Sequence, residues 1–411
     1  MSARSGRYIA QPTGYRAFIP APLPPQPPID LDAELVALLS RADQAIGRLD
    51  GVAETLPNPD LFVAMYVRRE AVESSQIEGT QSTLEDVLAF ELDPEARNLP
   101  DDVGEVVNYV RAMNHGLARM ETFPLSLRLI REIHAELLRD VRGAERMPGE
   151  FRTSQNWIGP GGATLSNATF VPPPVHEMQA ALSNFEQYLH ASAGTPALIQ
   201  CALAHVQFET IHPFLDGNRR VGRLLITFLL VQRGVLRQPL LYLSAYLKFH
   251  RAEYYDRLMA VRNDGMWEAW LEFFLRGVAE TAEEATLTAR RIVRLREEHR
   301  VILHANGLGN SESRLLDLLF QNPVVNIALV ASRLDVTDVT ANRALERLRN
   351  LGLIDEITGQ RRHRRYRYTP YWQIFRDLEL GGEVDTPTQS TVSTENDPSI
   401  QDPGHIYDTE E

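Results

Sequence analysis

Ile211-His212-Pro213-Phe214-Leu215-Asp216-Gly217-Asn218-Arg219-Arg220-Val221-Gly222-Arg223 gathers a base, an acid and an anion cradle within thirteen residues. His212 can titrate near neutral pH and take a proton from an incoming hydroxyl. Asp216 is a hard oxygen ligand suited to Mg²⁺. Gly217-Asn218 is a tight turn opening an apolar helical run, Val221 to Val231. The start of such a helix offers unpaired N–H groups and partial positive charge to a di- or triphosphate. Arg220 and Arg223 lie three apart on that helix, so they share a face and offer planar cationic forks to phosphate oxygens. Taken singly, each residue has a plainer reading: a structural histidine, an Asp-Gly turn, a solvated pair of arginines. Their ordered co-occurrence points to a nucleotide site.

The order resembles the signature of the Fic family, His-Pro-Phe-x-Asp/Glu-Gly-Asn-Gly-Arg-x-x-Arg, at every specified position but one. The resemblance implies transfer of AMP from ATP to a hydroxyl side chain (Ser, Thr or Tyr) of a target protein, with the chain itself among the candidate targets. It makes His212 the catalytic base, Phe214 a buried loop anchor and Asp216 the Mg²⁺ ligand. Gly217, Asn218, Arg220 and Arg223 become the nucleotide-binding set, the two arginines on the β- and γ-phosphates. Arg219 stands where the family has its second glycine. A left-handed backbone there would cost about 1–2 kcal/mol. Arg219 is expected either to add a cation to the nucleotide site, to redirect transfer toward phosphate as in the related Doc branch, or to abolish turnover.

Upstream, Ser74-Ser75-Gln76-Ile77-Glu78-Gly79 resembles the Fic inhibitory motif, with Ser74, Glu78 and Gly79 at its specified places. It reads as the end of a helix that starts near Asn58-Pro59 and stops at Gly79. The resemblance implies that Glu78 pairs with Arg223 and denies that guanidinium to ATP. Whether Glu78 acts in its own chain or on a neighbour stays open, so a homodimer is among the expected partners.

Between the motifs, two β-prone pieces flank Gly159 to Gly162 and suggest a hairpin with a long loop. Asn156, Trp157, Ile158 and Gly159 fall where Fic proteins have a flap that docks the target backbone as an added strand. His205 and Cys201 read as structural, on a helix from Pro196 to Phe208 that feeds the loop.

These elements give a mostly α fold: a Fic-type helical domain with a small β-hairpin flap, plus a C-terminal winged helix domain. The expected division is an extended Pro-rich segment over 1–30, an N-terminal helical region over 31–101, the catalytic domain over 102–280 and a helical connector over 281–310. A winged helix-turn-helix follows over 311–380, and a disordered acidic tail over 381–411. The expected recognition helix carries Arg343 and Arg347, and the basic wing carries Arg361, Arg362, Arg364 and Arg365. They make DNA a candidate partner. A DNA-binding regulator that senses nucleotide is therefore the alternative to a transferase.

The chain has 411 residues, 44% of them hydrophobic, and a formal charge of −13 to which the acidic tail contributes. Its longest apolar run, Leu224 to Val231, is too short to span a bilayer. No secretory signal is expected among the first 28 residues, and a lone cysteine rules out an internal disulfide, so a cytoplasmic location is expected.

Overall fold

The computed structural model describes residues 4–54, 59–94, 99–191 and 194–379. The Asn58 cap and the acidic tail beyond 380 lie outside these. Strands β1 (Gly6–Ala10) and β2 (Arg16–Pro20) form an antiparallel hairpin, followed by helices α1 (Ala33–Glu54), α2 (Pro59–Ile77), α3 (Leu84–Leu92), α4 (Val103–Met120) and α5 (Leu127–Leu137). Next come α6 (Val175–His190), α7 (Ala197–Ile211), α8 (Asn218–Gln232), α9 (Ser244–Phe249), α10 (Arg251–Asp264) and α11 (Trp267–Ala305). The C-terminal part has α12 (Asn310–Gln321), β3 (Val324–Asn326), α13 (Ile327–Leu334), α14 (Asp338–Asn350), β4 (Asp355–Glu356), β5 (Arg365–Arg367) and α15 (Thr369–Glu379). Its three strands make an antiparallel sheet in the order β3-β5-β4.

The chain is mostly helical, and α7 is its centre. Every residue from Leu198 to Ile211 is buried, which requires neighbours on all sides. Polar side chains in that run must then find partners inside. His205 does, between the Gly222 carbonyl and the Tyr254 hydroxyl, each 2.9 Å away. Cys201 is buried in the same helix. Short polar caps start several other helices: Thr83 forms a capping box with Asp86 for α3, Ser126 caps α5, Asn326 caps α13 and Thr337 caps α14.

Three expectations change. The two-stranded sheet comes from the N-terminal segment, not from the flap. Gly14, at φ +89°, closes the β1–β2 turn, and the Phe18 N–H reaches the Val171 carbonyl at 2.9 Å. The flap has a single antiparallel bridge, Ile158 to Phe170. The helical connector expected over 281–310 starts inside a longer helix. α11 runs unbroken through residue 280 and packs along α1, because Ala282, Ala285 and Ala289 give it a narrow buried face. Finally, the Arg219 backbone is helical: positive φ falls on His212 (49°) and Gly217 (73°), not on Arg219. The backbone cost considered for Arg219 does not arise.

Candidate active site

The motif is a helix stop, a loop and a helix start. α7 ends with His212 in the left-handed conformation, a state costing about 1–2 kcal/mol for a residue with a Cβ. Pro213 prevents the helix from continuing. Gly217, also left-handed, opens α8. A Cβ on Gly217 would come within 3.3 Å of the His134 Nε2, so the turn needs glycine for both conformation and space.

Backbone carbonyls of the loop are held from several directions. The Asn218 side chain accepts from the Phe214 N–H and donates to the Phe214 carbonyl, both at 2.8 Å. Asn218 is thus a loop staple, with its amide already engaged. Asn156 Nδ2 donates to the carbonyls of His212 at 3.2 Å and Phe214 at 2.8 Å. Its side chain therefore turns inward to the loop. Trp157 is 41% exposed, and its indole N–H donates to the Ala163 carbonyl at 2.8 Å. Gly159 is packed so closely that a Cβ would sit 2.7 Å from that of Ala163.

Two residues that the sequence did not single out complete the frame. Arg152, 1% exposed, donates from Nε to the His212 carbonyl at 3.1 Å and from Nη2 to the Pro173 carbonyl at 2.5 Å. Burial pushes its guanidinium down to about 10. His134 stacks flat on Phe214, with centroids 3.7 Å apart and planes 6° apart. The Gly149 N–H donates to His134 Nδ1 at 2.8 Å, so Nε2 carries the proton and donates to the Asp216 carbonyl at 3.1 Å. Only their partners in the fold give these two residues their roles; Gly149-Glu150-Phe151-Arg152 is the one local signal that could have marked Arg152.

The guanidiniums are already partnered, and the contact expected between Glu78 and Arg223 is present. Arg223, 1% exposed, donates from Nε to Ser74 Oγ at 2.7 Å, from Nη2 to the Ser74 carbonyl at 2.8 Å and from Nη1 to Glu78 Oε1 at 3.1 Å. Arg220 pairs with Glu105 of α4 at 3.0 Å. Arg219 reaches the other Glu78 oxygen, Oε2, at 3.0 Å and the Tyr255 hydroxyl at 3.2 Å, with its guanidinium 4.9 Å from the Tyr255 ring centroid. One carboxylate therefore bridges two arginines. Gly79, at φ +100°, follows where α2 has ended. Burial pushes the Glu78 carboxyl up, but Arg223 and Arg219 outweigh it and hold the group below its ordinary value.

Glu78, His212, Asp216, Gly217, Asn218, Arg219, Arg220, Arg142 and the flap residues Trp157 to Gly159 line one cavity of about 280 Å³. Arg219 borders this cavity while its guanidinium contacts Glu78 and Tyr255. Burial, followed by Arg219, Arg262 and Arg152, drives His212 well below its ordinary range despite the Glu209 backbone, which favours the proton. The imidazole is neutral here. Asp216 Oδ1 accepts from the Gly217 N–H at 2.6 Å, and its side chain is 44% exposed. Among the described residues no three acidic, histidine or cysteine side chains cluster to hold a metal. One accessible carboxylate fits Mg²⁺, which keeps several waters and takes its remaining ligands from substrate phosphates.

His134 and His205 are pushed by burial to about 4, and His212 also lies well below 6.5. Between pH 6.5 and 4 the unfolded chain therefore takes up protons on them that the folded chain refuses, and stability falls with pH. Glu70, pushed up by burial to about 7, acts in the opposite sense between 4.5 and 7. His205→Gln should flatten the dependence by about 1.4 kcal/mol per pH unit in this window. Urea midpoints at several pH values would measure that slope.

In the C-terminal part, three of the six arginines expected on DNA are held by carboxylates: Arg347 by Glu312 at 2.6 Å, Arg364 by Glu346 at 2.6 Å and Arg365 by Asp93 at 3.5 Å. Arg343, Arg361 and Arg362 are exposed.

The helical body thus presents the loop, the backbone N–H groups of a helix start and three arginines at one place. Residues 124–230 match the model of the Fic/DOC family, and residues 36–118 that of the Fic/DOC family N-terminal region. Over these residues the chain is similar to the Fic/DOC family. It is 32% identical over 188 residues to the protein adenylyltransferase Fic of Aedes aegypti, covering 44% of this chain and 33% of the relative. Identity to the protein of the same name from Drosophila virilis is 28% over 214 residues, or 51% and 39% of the two chains. The chain thus spans less than half the length of these relatives. A Fic family protein from Desulfovibrio desulfuricans G20 shares the fold with a TM-score of 0.53 at 20% identity, over 84% of this chain and 98% of that one. Among the described residues no helix is long and apolar enough to cross a membrane.

Proposed function

We propose that the protein transfers AMP from ATP to a hydroxyl side chain of a protein, and that Glu78 holds this activity down. The observation that carries the reading is the shared cavity: a neutral imidazole, an accessible carboxylate and a helix start border one space together with Arg219, Arg220 and Glu78. The target hydroxyl attacks the α-phosphorus and its proton goes to His212. A new P–O bond forms as the α–β bridge breaks, and pyrophosphate leaves. Such displacement depends on positioning and charge neutralisation, which the α8 N-terminus and the arginines supply. Asp216 would hold Mg²⁺, which adds charge neutralisation when bound.

Glu78 occupies Arg223 and Arg219 together, so both cations are withheld from phosphate. The relatives named protein adenylyltransferase support the AMP reading. So does Gly217, since Doc-type loops have Ala at that place. The test is mass measurement after incubating wild type and Glu78→Gly with Mg-ATP and candidate hydroxyl proteins, the chain itself included. An added AMP supports the proposal, whereas an added phosphate, or no product from either protein, overturns it.

Arg219→Gly removes one of the two partners of Glu78. The expected outcome is transfer raised several-fold, less than for loss of Glu78, at a helix-propensity cost of about 1 kcal/mol. Single-turnover labelling with Mg-ATP checks it; a fall in transfer would make Arg219 a phosphate ligand instead.

As a second reading, the C-terminal unit α12–α14 with its strands is a winged helix that binds duplex DNA, favoured by exposed Arg343, Arg361 and Arg362. Three phosphate contacts predict a log–log salt slope of roughly −3, lost on substituting all three by Ala. A salt-insensitive shift, or none, would count against it.

A further inference from the structure

Arg142, Arg219 and Arg220 all line the candidate active-site cavity, but only Arg142 has an exposed side chain: 72%, against 28% for Arg219 and 5% for Arg220. It comes from the loop after α5, which belongs to neither of the two sequence motifs. The local fold explains its position. The Ala144 N–H closes a turn on the Val141 carbonyl at 2.9 Å, with Gly143 at φ +92°. A left-handed glycine in the third place makes this a type II turn and puts Arg142 at its corner. Gly143 is needed for space as well, since a Cβ there would lie 2.9 Å from Asp216 Oδ2. The turn is pressed against the Asp216 side chain, and Arg142 is anchored beside it.

Charge decides what such a side chain can do. Arg142 Nε stands 3.2 Å from Glu105 Oε1, and Nη2 donates to Glu105 Oε2 at 3.4 Å. Arg142 pairs with no other carboxylate among the described residues, and its Nη1 makes no hydrogen bond among them. Glu105 also holds Arg220 at 3.0 Å, so one carboxylate faces two guanidiniums. Asp216 Oδ1, 3.9 Å from Arg220, belongs to the side chain assigned to Mg²⁺. A partly engaged fork at a solvated corner is a weak ion pair, and its remaining planar donors match the oxygens of a phosphate. Glu78 does not hold this guanidinium, because its partners are Arg219 and Arg223.

We infer that Arg142 is a further nucleotide-binding residue, a ligand to the phosphates beyond the α-phosphate. The inference rests on the proposed transfer and deepens it. The α-phosphorus has to face His212 for the proton to pass, while Arg142 is fixed on the Asp216 side, where the rest of the phosphate chain lies. Arg142 thus selects a triphosphate over a monophosphate, and it does so even while Glu78 holds Arg219 and Arg223.

Titration calorimetry on the full chain, with Glu78 intact and as Glu78→Gly, tests the assignment. The ligands are Mg-pyrophosphate, AMP and the Mg complex of α,β-methylene-ATP, whose α–β bridge does not break. Arg142→Ala should weaken the triphosphate and pyrophosphate about tenfold in both backgrounds and change AMP less than about twofold. Arg142→Lys should recover part of the loss, because it restores the charge without the fork. The melting temperature should stay the same, since the side chain is exposed. If Arg142→Ala leaves triphosphate and pyrophosphate affinity unchanged, or weakens AMP as much as the triphosphate, the assignment is overturned and the transfer reading stands. If neither chain takes up the triphosphate at all, both fall together.

Discussion

His212→Ala is expected to lower transfer by roughly 10²–10⁴-fold while Mg-ATP uptake stays the same. The imidazole borders the cavity, but the proposed nucleotide seat is the α8 start with the arginines, so removing the base should separate chemistry from binding. The structure also sets the pH dependence. A base must be neutral to accept a proton, and His212 lies well below its ordinary value of 6.5 because burial and three guanidiniums disfavour its charged form. The kcat/KM profile, which reports groups of the free enzyme, should therefore be level from pH 8 down through 6.5 and fall only in more acid solution. Initial rates of labelling across this range measure it. An acid limb centred at or above 6.5 would mean that the base meets a different environment from the one seen here.

The placement of that base was partly legible because the motif is local. A helix that must stop at Pro213, a glycine turn and an apolar run after it are features of neighbouring residues, and the chain folds them into α7, the loop and α8. Glu78 could be linked to Arg223 only through resemblance to the inhibitory motif, since 145 positions separate the two. Nothing in the residue types showed that Glu78 would also take Arg219. That depends on α8 beginning at Asn218, which turns Arg219 toward Tyr255 and the end of α2.

His134 and Arg152 were missed for a related reason. Both act on backbone carbonyls contributed by distant residues, and a carbonyl leaves no mark in the sequence. The N-terminal hairpin had a signal, the β-prone Arg16 to Ile19 run after the Thr13-Gly14 turn, but the prolines that follow favoured an extended segment. The boundary placed inside α11 came from charge. Its outward face is rich in Arg and Glu, as a solvated connector would be, while the small Ala282, Ala285 and Ala289 that press against α1 are weak apolar signals.

Glu78→Gly should raise transfer, or labelling of the chain itself, by roughly 5–150-fold, the range typical of a coupling between two states of a protein. The carboxylate holds two guanidiniums at 3.0 and 3.1 Å, and in the proposed function this contact withholds both from ATP. Removing it releases both, which is why the effect should exceed that of Arg219→Gly. The same change should cost stability, by about 1–3 kcal/mol. It falls short of a fully buried pair because 21% of the Glu78 side chain remains exposed. The sign of the pH dependence follows from the lowered carboxyl: its contribution is fully present above 4.5 and is lost as the solution is acidified through the value in the folded protein. Urea unfolding at pH 7 and in acid separates the two effects, since the variant should be the less stable at pH 7 and should converge with wild type in acid. Glu78→Gln keeps a hydrogen-bond acceptor without the charge and should fall between the two in transfer. If glycine and glutamine activate equally, the charge holds the brake; if glutamine remains as inactive as wild type, the hydrogen bonds to Arg219 and Arg223 suffice.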